Sequence, residues 1–233
     1  IYLFLFLISL NFISFSQNPG DIAQNFGALP GFNNAFRSAV KQSDTKIVMG
    51  GYFTSFKGVT ENYIIRLNND GSKDTSFNTG IGFNDYIESV ALQSDGKILI
   101  GGNFTTYKGV TENRIIRLNS DGTKDSSFNT GTGFNNSVYS IAVQPDGKII
   151  VAGDFTTYKG ITENRIIRLN TDGSKDSSFN TGTGFNSFVS TIEVQTDGKI
   201  IMGGFFTAYK GVTQNKIIRL NTDGSKDTSF LTG

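Results

Sequence analysis

The stretch Val138-Tyr139-Ser140-Ile141-Ala142-Val143-Gln144-Pro145-Asp146-Gly147-Lys148-Ile149-Ile150-Val151-Ala152-Gly153 decides the fold. Val138, Ser140 and Ala142 alternate with Tyr139, Ile141 and Val143, the period of two expected of a strand with two unlike faces. Asp146-Gly147 then turns the chain, since glycine accepts the positive φ that tight hairpins need. Lys148 to Phe155 is apolar nearly throughout and contains Ala152-Gly153, as suits a strand covered on both faces where a neighbouring sheet comes close. Beyond a longer loop, Arg165 to Leu169 reads as a third strand and Thr171-Asp172-Gly173-Ser174 as a second tight turn. Ser177 to Asn180 reads as a short fourth strand.

Working outward, the same text recurs. Gly-Phe-Asn begins at Gly31, Gly82, Gly133 and Gly184, and Asp-Gly follows Leu-Asn-Xaa at Asp70, Asp121, Asp172 and Asp223; each series steps by 51 residues. Four such units fill nearly all of the 233 residues, so the chain is one array with one core. Units of this length, built of short strands and glycine-rich turns, predict an all-β fold: a β-propeller-like array of four 51-residue, four-stranded antiparallel blades, part of a larger propeller. A lone blade cannot cover both faces of its sheet. Stacking Ile149, Val151, Ile167 and Leu169 between blades stabilises by roughly 1.5 to 3 kcal/mol per large side chain.

Composition removes whole classes of function. Lys and Arg number 21 against 20 acidic residues, a balance with no electrostatic case for nucleic acid or an anionic membrane. With neither Cys nor His there is no thiol or imidazole ligand and no Ser-His relay, so no cofactor, metal or catalytic residue is expected. Apolar side chains dominate the first 16 residues, above all Ile1 to Leu10, and no charge appears before Asp21. That run is too short to span a bilayer as a helix but fits the core of a secretory signal. The expected division is therefore a partial signal peptide over 1–16, an outer strand of a preceding blade with its linker over 17–30, and the four-repeat array over 31–233. No transmembrane span is expected in the mature chain, and further repeats of the same protein are expected beyond it.

Gln144-Pro145-Asp146-Gly147-Lys148-Ile149, Gly102-Asn103-Phe104-Thr105 and Arg168-Leu169-Asn170-Thr171-Asp172-Gly173-Ser174-Lys175-Asp176 with Phe179 together resemble the delta-60 repeat family. The resemblance covers about Gly31 to Phe230. It implies a propeller-type fold and a secreted or cell-surface bacterial protein, the family having no assigned catalytic activity, and it carries over no functional residue. The first repeat departs from the pattern by having Thr45 where the others have Gly96, Gly147 and Gly198.

Asn170, Asp172, Ser174 and Asp176 superficially resemble a calcium loop. Placing Gly173 at the sixth position of such a loop, however, puts Arg168 and Phe179 where acidic ligands belong. The turn reading is preferred, and Gly101-Gly102 is a packing pair rather than a phosphate loop. The tight turns fall on one face, and the long loops and linkers on the other, where binding usually resides. There Phe56-Lys57, Tyr107-Lys108, Tyr158-Lys159 and Tyr209-Lys210 recur, and with Asp154 they are the candidate binding residues. The competing reading packs each aromatic onto the neighbouring blade and pairs each Lys with Glu61, Glu112 or Glu163. Residues that differ between repeats near this face are Tyr52, Asn103, Asp154 and Phe205, and Arg37, Glu88, Tyr139 and Ser190. The expectation is an exported, non-catalytic scaffold binding protein or glycan through the long-loop face; a structural spacer and a glycan-active enzyme using paired carboxylates are the alternatives.

Overall fold

The computed structural model describes residues 31–231. The segments 1–16 and 17–30, read above as signal, preceding strand and linker, lie outside the described residues. Within them the chain is all β. Each repeat forms a three-stranded antiparallel sheet; in the third, Val138–Val143 pairs with Ile149–Gly153, which pairs with Ile166–Leu169. The first strands of successive blades, Phe36–Lys41, Ile87–Leu92, Val138–Val143 and Val189–Val194, contact one another, so they line the inner side of the array. A small hairpin, Thr157–Tyr158 with Ile161–Thr162, stands in the long loop of the third blade and recurs in the others.

Two expectations need correction. The fourth strand over Ser177 to Asn180 does not form; pairing ends at a bridge between Leu169 and Lys175. The cause is Asp176, whose carboxylate accepts from the Ser178 amide at 3.0 Å and hydroxyl at 2.7 Å and folds the segment into a turn. The blades are thus three-stranded with an added hairpin. The strict alternation along Val138–Val143 also fails: Val138 pairs with Gly153 and Ser140 with Ala152, which leaves Tyr139 as the extra residue of a β-bulge. The same skip isolates Arg37, Glu88 and Ser190. Thr45 nevertheless makes its turn, donating its amide to Gln42 O at 3.0 Å with φ of 70°, where its counterparts are glycine.

Blades are joined by close packing and by polar latches. A Cβ on Gly101 would lie 2.5 Å from Val138 Cγ1 of the next blade, too close without a shift of that blade, and the third blade carries the small Ala152 at the same place. Ser38, Ser89 and Ser140 accept, through Oγ, the amides of Val90, Ile141 and Ile192 one blade on, at 3.0 to 3.1 Å. Arg117 is buried above the Phe128 ring and donates from all three nitrogens of its fork. Nε gives to Asp125 at 2.7 Å, Nη1 to Gln93 and to Thr171 O of the next blade, and Nη2 to Ser127. Burial alone would raise the Asp125 carboxyl. Hydrogen bonds from Ser127, Lys97 and Arg117 outweigh it and hold the group well below the usual carboxylate range. Ile64, Ile115 and Ile166 are wholly buried, whereas the equivalent Ile217 of the fourth blade is 40% exposed.

Candidate functional site

The recurrent aromatic–lysine pairs serve the scaffold. Tyr107, Tyr158, Tyr209 and Phe56 are all buried, each ring lying 4.5 to 4.9 Å from Phe83, Phe134, Phe185 and Phe32 respectively. The tyrosine hydroxyls donate to Gly122 O, Gly173 O and Gly224 O at 2.6 to 2.7 Å. Their rings therefore offer a ligand no face, which corrects the reading of them as surface contacts. Lys57, Lys108, Lys159 and Lys210 occupy the two-residue turns of the small hairpins at φ near 50°. The Lys108 stem lies over Gly80 of the preceding linker, with its ammonium 5.5 Å from the Tyr107 ring. The expected lysine partners also change, because Glu61, Glu112 and Glu163 pair with Lys73, Lys124 and Lys175.

What the long-loop face does present is a rim of side chains that differ from blade to blade, projected by two local devices. One is the bulge, which turns Arg37, Glu88, Tyr139 and Ser190 out of the pairing register; bulges commonly re-aim a side chain in this way. The other is a left-handed residue just before each third strand: Tyr63, Arg114, Arg165 and Lys216, with φ of 64 to 68°. Bulky residues adopt that region at a cost, and the surrounding structure must enforce it. Here the Arg114 amide donates to Phe104 O at 2.9 Å and its carbonyl accepts from Gly102 at 3.1 Å. The second strands end against this rim with Tyr52, Asn103, Asp154 and Phe205.

These groups meet in two clusters, one shared by the first and second blades and one by the third and fourth. Glu88 accepts from Tyr52 Oη at 2.8 Å and from Arg37 Nε at 3.1 Å, both in the preceding blade. Burial and then that bond to Glu88 push the Tyr52 phenol up to about 12. Tyr86 meets the rings of Tyr52 and Tyr63 at 4.7 and 5.6 Å. Tyr139 abuts Phe188, which stacks on the exposed Phe205 at 4.6 Å, and Lys216 lies 4.9 Å from that ring. Asp154, alone among the candidate residues in belonging to this rim, accepts from Asn136 at 3.0 Å and has the Arg165 guanidinium 3.7 Å away. Aromatic faces flanked by amides and cations can hold a ligand by stacking and hydrogen bonds. Sequence reading found the bulge and second-strand positions by their variation. It missed Tyr63, Arg114, Arg165 and Lys216, although this position takes three residue types directly ahead of the constant Ile-Ile-Arg-Leu.

On the opposite face, a shallow groove of about 670 Å³ between the second and third blades is lined by Gln93, Lys97, Arg117, Gln144, Asp146 and Thr171. Arg117, Gln93 and Thr171 are there committed to one another, which makes the groove a seam.

Among solved structures, the chain resembles the WD40 β-propeller domain of Doa1, with a TM-score of 0.53, 19% identity and coverage of 82% of this chain and 52% of that one. It also matches PorZ, a surface component of the type-IX secretion system of Porphyromonas gingivalis, at a TM-score of 0.49 and 12% identity over 87% of this chain and 28% of that one. A gluconolactonase from Xanthomonas campestris matches at 0.48 and 12% over 82% and 60%. The chain spans about half of the first and less than two thirds of the others. At such identities the likeness concerns fold alone. No curated protein matches the chain significantly. The family described as "Domain of unknown function (DUF5122) beta-propeller" matches residues 42–77, 93–128, 144–179 and 195–230, more than half of the sequence and one stretch in every blade, and the chain belongs to that family.

Proposed function

We propose that this chain is an exported, non-catalytic repeat scaffold of the delta-60 type that binds protein or glycan through the rim of its long-loop face. The observation that carries the reading is a division of labour within nearly identical repeats. Latch residues such as Arg66, Arg117 and Arg168 recur in each of these blades, while the bulge position differs in all four and the left-handed position carries Tyr, Arg, Arg and Lys in turn. Interaction surfaces are rich in rigid aromatics, and Tyr52, Tyr63, Tyr86, Tyr139, Phe188 and Phe205 collect here. Glu88 and Asp154 are both engaged by neighbouring donors, which favours binding over acid–base chemistry. Export rests on the apolar run Ile1 to Leu10.

The test is a glycan array and a surface-protein pull-down with the wild-type chain, followed by affinity measurements on variants of matched melting temperature. Tyr52→Ala and Phe205→Ala should each weaken binding about tenfold, and Lys41→Ala, an exposed residue beside the tight turns, should leave it unchanged. Loss confined to tight-turn variants would sink the assignment. A wild-type chain that binds nothing would favour the spacer.

A further inference from the structure

Each junction between blades is built from the same two halves. Between the third and fourth blades, Ile150, Ala152, Ile166 and Phe179 on one side close over Met202, Phe206, Ile218 and Leu220 on the other. The first blade carries the second half as Met49, Phe53, Ile65 and Leu67, in a cluster to which no other blade contributes among the described residues. The fourth blade carries the first half as Ile201, Gly203, Ile217 and Phe230, with Ile217 exposed and the others only half-buried. These two faces do not meet within one chain. Successive first strands touch, but among the described residues Phe36–Lys41 and Val189–Val194 make no comparable contact.

The polar latches stop at the same place. Arg66, Arg117 and Arg168 donate through Nη1 to Ser120 O, Thr171 O and Thr222 O one blade on, whereas Arg219 Nη1 has no partner among the described residues. Thr191, at the position of Ser38, Ser89 and Ser140, is exposed and accepts no amide among them. A charge pattern then distinguishes between partners. At each internal junction an aliphatic from one first strand packs into the same cluster as an aliphatic from the next: Val40 with Leu92, Ala91 with Val143, and Ala142 with Val194. The fourth blade has Glu193 at the former position and the first blade has Lys41 at the latter, both exposed. An apolar pair thus becomes a pair of opposite charges at the one junction that would join a fourth blade to a first. Against the Leu or Val of a further ordinary repeat, Glu193 would be unmatched.

We infer that the bare face of the fourth blade docks on the first blade of a second copy of this chain, so that two four-blade arcs close one ring through two identical junctions. Head-to-tail contacts of this kind end in a ring when the rotation closes, and the four blades span about half of the Doa1 propeller domain that they resemble. By equivalence with the internal junctions, Arg219 then donates to the second copy's Asn69 O, Thr191 accepts the amide of its Ala39, and Glu193 meets its Lys41. Glu193 and Lys41 lie toward the tight-turn ends of their strands. The inference is therefore independent of any ligand held at the rim.

The experiment is sedimentation velocity of the whole chain over a concentration series. The wild type should pass from monomer to dimer as concentration rises. Glu193→Lys and Lys41→Glu, both at exposed positions that leave the fold intact by circular dichroism, should each weaken the dimer by roughly tenfold or more, because each sets like charges against one another. An equimolar mixture of the two variants should recover it, since both junctions of the mixed dimer again pair opposite charges. Hydrogen exchange in Ile200–Gly204, fast in the dilute chain, should slow as the dimer forms. A monomer at every concentration, a dimer indifferent to both reversals, or variants that mixing fails to rescue would overturn the inference. So would open-ended oligomers, or a monomer in which cysteines placed together at positions 41 and 193 bond within one chain, the mark of a ring closed by a single copy.

Discussion

Arg117 and its counterparts hold two blades together while buried, so their removal should cost far more than that of a surface cation. Arg117→Ala leaves Asp125 shielded and short of a partner, and about 3 kcal/mol or more should be lost in urea denaturation. Arg219→Ala should cost less, because that side chain is 20% exposed where Arg117 is 5%. The acid limb follows from the same latch. Asp74, Asp125 and Asp176 are held below their ordinary range in the folded chain by hydrogen bonds that outweigh burial. Their contribution is therefore present above the unfolded pKa of about 4 and is lost as pH falls toward the lowered folded values. The urea midpoint should drop below about pH 4, and Asp125→Asn should start lower and lose less on acidification. Tyr158→Phe should cost about 1 kcal/mol by leaving Gly173 O without its donor. Thr45→Gly, which relieves a β-branched residue at φ of 70°, should add about 1 kcal/mol. The recurrence of Arg66, Arg117 and Arg168 is visible in the sequence, though not the latch they make. Nor does the sequence say that Tyr158 points inward, because burial of a loop aromatic depends on a ring such as Phe134 that is distant in sequence.

Among elements, the three strands of each blade and the tight turns between them were readable from alternation and Asp-Gly, whereas the small hairpin Thr157–Tyr158 with Ile161–Thr162 stands in what read as a loop. The fourth strand was misread because Asp176, Ser178 and Phe179 look extended in sequence, and only the hydrogen bonds to the Asp176 carboxylate show that the segment turns. The bulge was hidden for another reason: a single extra residue leaves composition unchanged while shifting which side chains share a face. It can be tested at its partner. A Cβ on Gly153 would lie 2.1 Å from Ser137 O, so Gly153→Ala must displace the bulged strand. It should lower stability by about 1 to 3 kcal/mol and alter the environment of Tyr139, read by near-ultraviolet circular dichroism. The left-handed conformation of the rim residues has no signal in residue type, since Tyr, Arg and Lys are all poor predictors of positive φ.

Across the whole molecule, stability should follow the number of neighbours a blade possesses, as in other stacked repeats. Ile98–Gly102 and Ile149–Gly153 are buried throughout, whereas Ile200–Gly204 is only partly buried and Ile217 faces solvent. Hydrogen exchange should accordingly be slowest in the two middle blades and faster in the fourth; uniform protection would contradict nearest-neighbour coupling. The left-handed rim position has a wider consequence. Its conformation is fixed by main-chain bonds to Phe104 O and Gly102 in the second blade and by equivalents elsewhere, and it already tolerates tyrosine, arginine and lysine. The position behaves as a socket whose insert can be exchanged without renegotiating the frame, so selection, or an engineer, could rewrite the chemistry of one blade at a time.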